Sequence, residues 1–339
     1  MYNNLKLNKM KTITLLVFIT LSIFSCNKED DQTQAQELPN LISLNETSLY
    51  PEGIVYSSTK QKTYVGSYFK GKIITVDLEG NLTDFVIDNS LVAVVGMAID
   101  ESNNKLYVCN SDAGISLKSD VSTVGILAEV IVYDLTTGEK IKTIDLSGLF
   151  AGGHFLNDLV FDANGNLYIT DSFSPVIYKI DTNDNPSVLV TNSIFEVPQG
   201  AFGLNGIVYH PDNYLIVGKA FGGMLYKVPL NDVNNIQEIA LDTNVNSLDG
   251  LLLTDNNTLA LVSNNFTGAP FSETIYKIET SNNWTSANIA NTFTDLEGSF
   301  PTTMTKIDNS LYVSYGYFPE LIDPNSAPNN NFKLQKIIF

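Results

Sequence analysis

Short apolar runs separated by polar turns recur along the chain, and no stretch keeps a helical apolar period between caps. The segment HFLNDLVFDANGNLYITDSFSPVIYKID, residues 154–181, shows the unit. Leu159, Val160 and Phe161 form one apolar run, and DANGN (162–166) is a turn containing Asn-Gly. Leu167, Tyr168 and Ile169 form a second run, after which Val176, Tyr178 and Ile180 alternate with other residues. The pattern predicts three antiparallel strands joined by tight turns. Five further copies begin at Gly53, Gly96, Gly206, Gly250 and Thr302, and a weaker fourth run usually follows, as in TDFVID (83–88), EKIKTIDL (139–146) and PSVLVTN (186–192). Six units of roughly fifty residues, all of short strands, predict an all-β fold, a six-bladed β-propeller with four-stranded antiparallel blades around a central channel. The last copy stops after its third strand, and LPNLISL (38–44) is available to supply the missing outer strand and close the ring. A pair of β-sandwiches or a β-helix fits less well, given irregular connections between units and four strands in each.

The first 25 residues fall outside this pattern. Lys6, Lys9 and Lys11 precede an apolar run from Ile13 to Phe24, too short and too early for a spanning helix, which reads as an export signal. The run ends in LSIFSC, and a small residue directly before Cys26 resembles the lipobox of bacterial lipoproteins, where the signal is cut before the cysteine and the cysteine is acylated. A plain secretory signal with an unrelated cysteine is the alternative. The polar stretch NKEDDQTQAQELPN then reads as a flexible tether, and its Lys28-Glu29-Asp30-Asp31 resembles the acidic surface-export signal of some Gram-negative lipoproteins. The expected division is a signal peptide over 1–25, a tether over 26–45 and a propeller over 46–339. The expected location is the outer membrane or cell surface of a bacterium, reached as a monomer through a lipid anchor at Cys26.

Charge narrows the partners. The net charge of −18 becomes −21 once the three leader lysines are removed, and all 19 basic residues are Lys. Such a chain is a poor match for nucleic acid, and bidentate clamping of a phosphate or carboxylate by Arg is unavailable to it. Cys109, in the apolar run KLYVCN, reads as a small buried hydrophobe.

Candidate chemistry emerges when the copies are aligned on their first strands. The residue just ahead of each copy is Glu52, Val95, Asn157, Asn205, Asp249 or Pro301. First strands of propeller blades line the channel, so equivalent positions sit at one height around one axis. Four of these six carry side-chain oxygens, and Glu52, Asn157, Asn205 and Asp249 would therefore converge. Two carboxylates and two amides describe a hard-cation site, with Ca²⁺ favoured over Mg²⁺ because a cage built from several blades suits its larger, irregular shell. No His or Cys joins the ring, which argues against zinc. The competing reading is that these residues cap strand ends by bonding to loop backbone.

PEGIVY, LNDLVFD, GLNGIVYHPD and SLDGLLL are similar to signature segments of the senescence marker protein/gluconolactonase propellers, a group related to the paraoxonases and strictosidine synthase-like proteins. The resemblance covers about residues 46–339. It implies a divalent metal, usually calcium, in the channel, with Glu52, Asn205 and Asp249 as ligands. It also implies that Asn157 is a ligand or a holder of substrate and water, and that Asp249 is the general base for lactone hydrolysis. Two departures stand out. The sugar-binding Arg of gluconolactonases, two residues before the Asn matching Asn157, is Phe155 here. The blade corresponding to that bearing the channel His of paraoxonases offers Val95. An apolar rim of Phe155, Phe202 and Pro301 would suit a less polar lactone or ester than a sugar lactone.

Further polar residues carry weaker signals. His154, after two glycines, is either a proton shuttle and substrate contact beside the metal or a solvated loop residue. Lys219, at the end of a second strand, either orients an anionic substrate or lies on the surface. Asp171 has the same kind of position and reads as a turn cap, and His210 sits in a turn on the far side of a strand. No GxSxG elbow and no glycine loop ahead of a helix is present. The expected function is a calcium-dependent hydrolase of small-molecule lactones or related esters, with another divalent cation left open. The alternative is a calcium-stabilised binding propeller without chemistry, a reading that the insertion SDAGISLKSDVSTVGIL (111–127) would favour if it plugged the channel.

Overall fold

Each apolar run becomes a strand, because β-branched and aromatic side chains at alternating positions pack well on a pleated surface with one or both faces covered. The computed structural model describes residues 37–264 and 273–339. The leader, Cys26 and the acidic Lys28–Asp31 stretch lie outside the described residues. A short strand β1 (Leu41–Leu44) comes first. The first blade follows as β2 (Pro51–Ser57), β3 (Lys62–Ser67), β4 (Lys72–Val76) and β5 (Leu82–Ile87). The second is β6 (Val94–Asp100), β7 (Lys105–Ser111), β8 (Ala128–Asp134) and β9 (Lys140–Asp145). The third is β10 (Leu156–Phe161), β11 (Leu167–Asp171), β12 (Val176–Ile180) and β13 (Pro186–Thr191). The fourth is β14 (Leu204–His210), β15 (Tyr214–Lys219), β16 (Met224–Pro229) and β17 (Gln237–Leu241). The fifth is β18 (Leu251–Asp255), β19 (Thr258–Ser263), β20 (Thr274–Glu279) and β21 (Ser286–Phe293). The last has β22 (Pro301–Ile307), β23 (Ser310–Tyr315), the one-turn helix α1 (Phe318–Ile322) and β24 (Phe332–Ile337).

Within each blade consecutive strands pair antiparallel. The fourth and fifth blades are also joined at their rims, where β17 and β21 pair in parallel through Ala240–Ser286 and Leu241–Ala287. The last blade takes its outer strand from the start of the chain: β1 pairs antiparallel with β24, from Leu41 opposite Gln335 to Leu44 opposite Phe332. Residues 41–44, within the span read as tether, thus form the closing strand that the LPNLISL pattern offered. The inner strands touch in a circle, β2 with β6, β6 with β10, β10 with β14, β14 with β18, β18 with β22 and β22 with β2. The result, among the described residues, is a propeller of six four-stranded antiparallel blades.

Because strands alternate in direction, every inner strand begins at the same end of the propeller, here termed the mouth. Second strands end there too, so the connections from second to third strand and from fourth strand to the next blade lie at the mouth. Gly206 shows how tightly the inner strands meet: a Cβ on it would lie 2.5 Å from the Asp249 carbonyl oxygen, so no other residue fits without displacing backbone.

Candidate functional site

The inner strands are kinked where the candidate ring residues lie. In β10, Leu156 pairs with Asp171 and Leu159 with Ile169, so Asn157 and Asp158 together face the single residue Thr170. This is a β-bulge, a device that leaves a residue unpaired and re-aims its side chain. Register shifts occur at the same place in β2, β6, β14 and β22. Glu52, Asn157 and Asn205 ride on these bulges, and Asp249 lies two residues ahead of β18. The four residues, from four blades, line one cavity of about 20 Å³ together with Asp158 and Thr303. That volume accommodates one water or one ion.

Blade six requires a correction. Pro301 pairs with Tyr315 as Leu156 pairs with Asp171 and Leu204 with Lys219, so the bulge there spans Thr302 and Thr303. The position equivalent to Asn157 is therefore Thr302, and Pro301 is one residue out of register. The Thr302 hydroxyl donates to the Glu52 carbonyl oxygen at 3.1 Å, clasping the last blade to the first, and Thr303 lines the cavity.

The electrostatics of the cavity are one-sided. Glu52 has its carboxyl pushed well up by burial, with repulsion from Asp249 and Asp158 adding to it. Asp249 is raised in the same way by burial, against the opposing effect of hydrogen bonds from the side chains of Asn264 and Asn205. Asp158 is pushed up to about 6 by burial, although the backbone N–H groups of Leu159 (2.8 Å) and Ile207 (3.2 Å) donate to its two oxygens. No basic side chain lines the cavity. Asn157 donates from Nδ2 to the Ser172 hydroxyl at 3.1 Å, which orients its carbonyl oxygen. Asn264 Nδ2 donates to Asp249 Oδ2 and, at 2.6 Å, to the Pro301 carbonyl oxygen. Among the described residues no group of three or more His, Cys, Asp or Glu side chains gathers in metal-ligating geometry. The donor set is mixed instead: the carboxylate of Glu52, that of Asp249 held by two Asn side chains, the amides of Asn157 and Asn205, and the Asp158 carboxylate engaged by backbone.

Asp158 and Asn264 are the residues that sequence reasoning missed. Asp158 stands where four other blades carry Gly53, Gly96, Gly206 and Gly250, and that substitution of an acid for glycine was the available signal. Asn264 had none, because it reaches the ring from the end of a second strand.

The three residues expected to contact substrate, His154, Phe155 and Lys219, do not line this cavity. His154 is buried, its Nδ1 is 2.9 Å from Asp171 Oδ2 and 3.3 Å from the Tyr178 hydroxyl, and its pKa is raised mainly by the Asp171 hydrogen bond. It does not line the ring cavity. Lys219 is also buried, and its ammonium donates to the Ile194 carbonyl oxygen at 2.6 Å. Both belong to a repeated device in which a residue at or next to the end of the second strand pins the segment leading into its blade. Ser67 does so on the Leu49 carbonyl, Asn110 on the Ser90 carbonyl, and Asp171 on the Phe155 N–H. Phe155 is likewise buried, with ring centroids 5.4 Å from Phe173, 5.5 Å from Phe202 and 6.3 Å from Tyr68. Tyr68 in turn meets Phe318 of α1 at 5.3 Å, and Phe318 meets Phe300 at 5.4 Å. These aromatics come from segments adjoining the mouth ends of four blades and form a packed layer there. The insertion 111–127 contributes no residue to the cavity.

No known family profile and no curated protein matches the chain. Solved structures do. The allergen Mala s 1 of Malassezia sympodialis superposes with a TM-score of 0.68 at 18% identity, over 88% of this chain and 96% of that one. A gluconolactonase from Xanthomonas campestris gives 0.58 at 12% identity, over 88% and 89%. Virginiamycin B lyase from Staphylococcus aureus gives 0.54 at 15% identity, over 88% and 98%. At these identities the likeness establishes the β-propeller fold.

Proposed function

We propose that the ring holds one divalent cation, calcium before magnesium, and that the propeller hydrolyses a lactone or related ester there. The observation that carries this reading is the gathering of Glu52, Asn157, Asn205 and Asp249 from four blades around one ion-sized cavity. Buried carboxylates with no basic partner must take up protons or a cation, and oxygen donors from carboxylates and amides are the chemistry of a hard cation. A bound cation would polarise the ester carbonyl and stabilise the charge that develops on its oxygen. Glu52 and Asp249 would offset the ionic charge, and Asn157 and Asn205 would add neutral oxygens. Proton acceptance from the attacking water falls to a carboxylate, since the cavity is lined by Glu52, Asp158 and Asp249 and not by His154. Asp249 is the first candidate. A carboxylate beside a cation loses basicity, however, and Asp158, already engaged by two backbone N–H groups, is the second. The gluconolactonase among the structural neighbours supports the reaction class by analogy of fold.

A second reading, a cation-stabilised binding propeller without chemistry, is favoured by one feature: the cavity of about 20 Å³ has room for an ion but not for an organic substrate. A panel of lactones and esters assayed with and without Ca²⁺, alongside thermal melts, separates the two. Calcium-dependent turnover supports the hydrolase. A calcium-dependent rise in melting temperature with no turnover supports the platform, and no effect of any divalent cation on either overturns both. Export with acylation at Cys26 completes the proposal, putting this chemistry at the bacterial cell envelope.

A further inference from the structure

The mouth carries an apolar surface that the oxygen ring does not explain. Leu117, Val121, Val124 and Ile126 are exposed on the β7–β8 connection, Ile194 on the connection into β14, and Phe221 on the β15–β16 turn. The loop holding the first four is firmly pinned. Asp112 accepts from the Gly114 N–H (2.7 Å) and from the Ser119 (2.6 Å) and Thr123 (2.7 Å) hydroxyls. The Lys118 ammonium donates to the carbonyl oxygens of Gly71, Asp88 and Leu91 at 2.8, 2.8 and 2.9 Å. Apolar side chains held outward on an ordered loop form a preorganised binding surface.

This surface is continuous with the layer above the ring. Gly125, next to Val124, accepts at its carbonyl from the His154 N–H at 2.9 Å, and a Cβ added to the adjoining Gly153 would lie 3.7 Å from Phe173 Cβ, so this loop adjoins Phe173. The half-buried ring of Phe173 lies 5.3 Å from that of Phe202, and the Phe221 N–H donates to the Phe202 carbonyl at 3.1 Å. Buried Phe155 contacts both rings, two residues from Asn157.

We propose that the arc Val124–Phe173–Phe202–Phe221 binds the alkyl or aryl portion of a neutral ester or lactone whose carbonyl is turned toward the ring. The inference deepens the hydrolase reading and rests on it for the identity of the reacting group. Charge selects the ligand: three acidic side chains line the ring cavity, the chain has no Arg, and the Lys118 and Lys219 ammonium groups of the mouth are both held by backbone carbonyls, so a neutral ligand is favoured over an anionic one. A neutral tail gains about fourfold in affinity for each methylene it buries.

γ-Dodecalactone and γ-butyrolactone share a reacting ring and differ by an octyl tail, which makes them the test pair. The wild-type protein with Ca²⁺ is expected to favour the long lactone in kcat/KM by about tenfold or more. Phe221→Asp and Val124→Asp should each lower that ratio by about fivefold, whereas Ile87→Asp, on the outer strand β5, should leave it alone. Calorimetric binding of γ-dodecalactone to the same proteins is the second readout. Equal kcat/KM for the two lactones, or a ratio unmoved by either mouth variant, overturns the arc and leaves the hydrolase reading standing. If neither lactone is hydrolysed but γ-dodecalactone binds and loses about fivefold in affinity in the mouth variants, the arc stands and the hydrolase reading falls. Absence of both hydrolysis and binding overturns both.

Discussion

Asn157 and Asp158 share one bulge and face one partner residue, yet their side chains have different tasks. Asn157 is turned by Ser172 so that its amide oxygen is free to face the cavity, while Asp158 spends its oxygens on the N–H groups of Leu159 and Ile207 and ties the third blade to the fourth. The ring acids can be separated by mutation. Glu52→Gln is expected to weaken calcium binding and lose activity that high Ca²⁺ partly restores, because a cation that binds only the folded state acts by mass action. Asp249→Asn keeps an oxygen donor but cannot accept a proton, and should stay at least about 100-fold down in kcat even when calorimetry finds the site filled. Wild-type turnover by a filled Asp249→Asn protein would move the base assignment to Asp158. The acids also set a pH dependence. Glu52, Asp249 and Asp158 bind protons more tightly folded than unfolded, so their contribution to stability is full below about pH 4 and is lost as pH rises through their folded values, about 6 for Asp158. Exposed carboxylates such as Asp77 and Asp181, whose values are lowered, act in the opposite direction, so the readout is a difference. Without divalent cations, the melting temperature of Glu52→Gln relative to wild type should be higher at pH 8 than at pH 5. Calcium should stabilise wild type more at pH 8 than at pH 5, and a calcium effect indifferent to pH would count against a carboxylate-held ion.

The blade is held by two recurring contacts, one at the start of the inner strand and one at the end of the second. At the first, backbone approaches backbone across blades, as where the Gly206 N–H donates to the Asp249 carbonyl at 3.2 Å. Gly206→Ala should destabilise the protein by about 1–3 kcal/mol or more and weaken calcium binding, since the new methyl displaces the backbone that aims Asp249. Gly148→Ala, where an added Cβ meets nothing within 4 Å, is the control and should stay within about 0.5 kcal/mol. At the second contact, Lys219 spends its charge on the Ile194 carbonyl. Lys219→Met is therefore expected to lower stability by about 1–3 kcal/mol in thermal melts with no change in KM for a lactone. A raised KM at unchanged stability would return Lys219 to the substrate.

At the scale of the ring, the chain closes on itself through β1. Pro39 accepts from the Tyr312 hydroxyl at 2.6 Å and Asn40 from the Lys336 N–H at 2.8 Å, so pairing extends beyond the strand itself. Deleting residues 38–44 leaves the last blade three-stranded and exposes the apolar edge of β24. Such a protein should melt well below wild type and associate through the open edge, as gel filtration would reveal. Cys26→Ser tests the other end of the tether: the variant should be unacylated, and its normal membrane fractionation would refute the anchor.

The repeat, the strand count in each blade and the partnership of the first strand with the last were legible in the residue order, because they depend on local alternation and on a period that survives divergence. The candidate oxygens at Glu52, Asn157, Asn205 and Asp249 were legible for the same reason, as one register read several times over. What needed the folded chain was whatever depends on which residue faces which. A bulge adds a residue without altering the apolar pattern, so the blade-six position appeared to be Pro301 when pairing with Tyr315 puts Thr302 there. A polar residue near a strand end reads alike whether it faces a channel or a neighbouring group, and only the folded chain shows Lys219 on the Ile194 carbonyl and His154 on the Asp171 carboxylate. The aromatic layer joins Tyr68, Phe155, Phe202 and Phe318 across 250 residues, a distance over which a linear pattern carries no information about contact. Periodicity encodes the element; convergence of side chains from separate elements arises only when the ring closes.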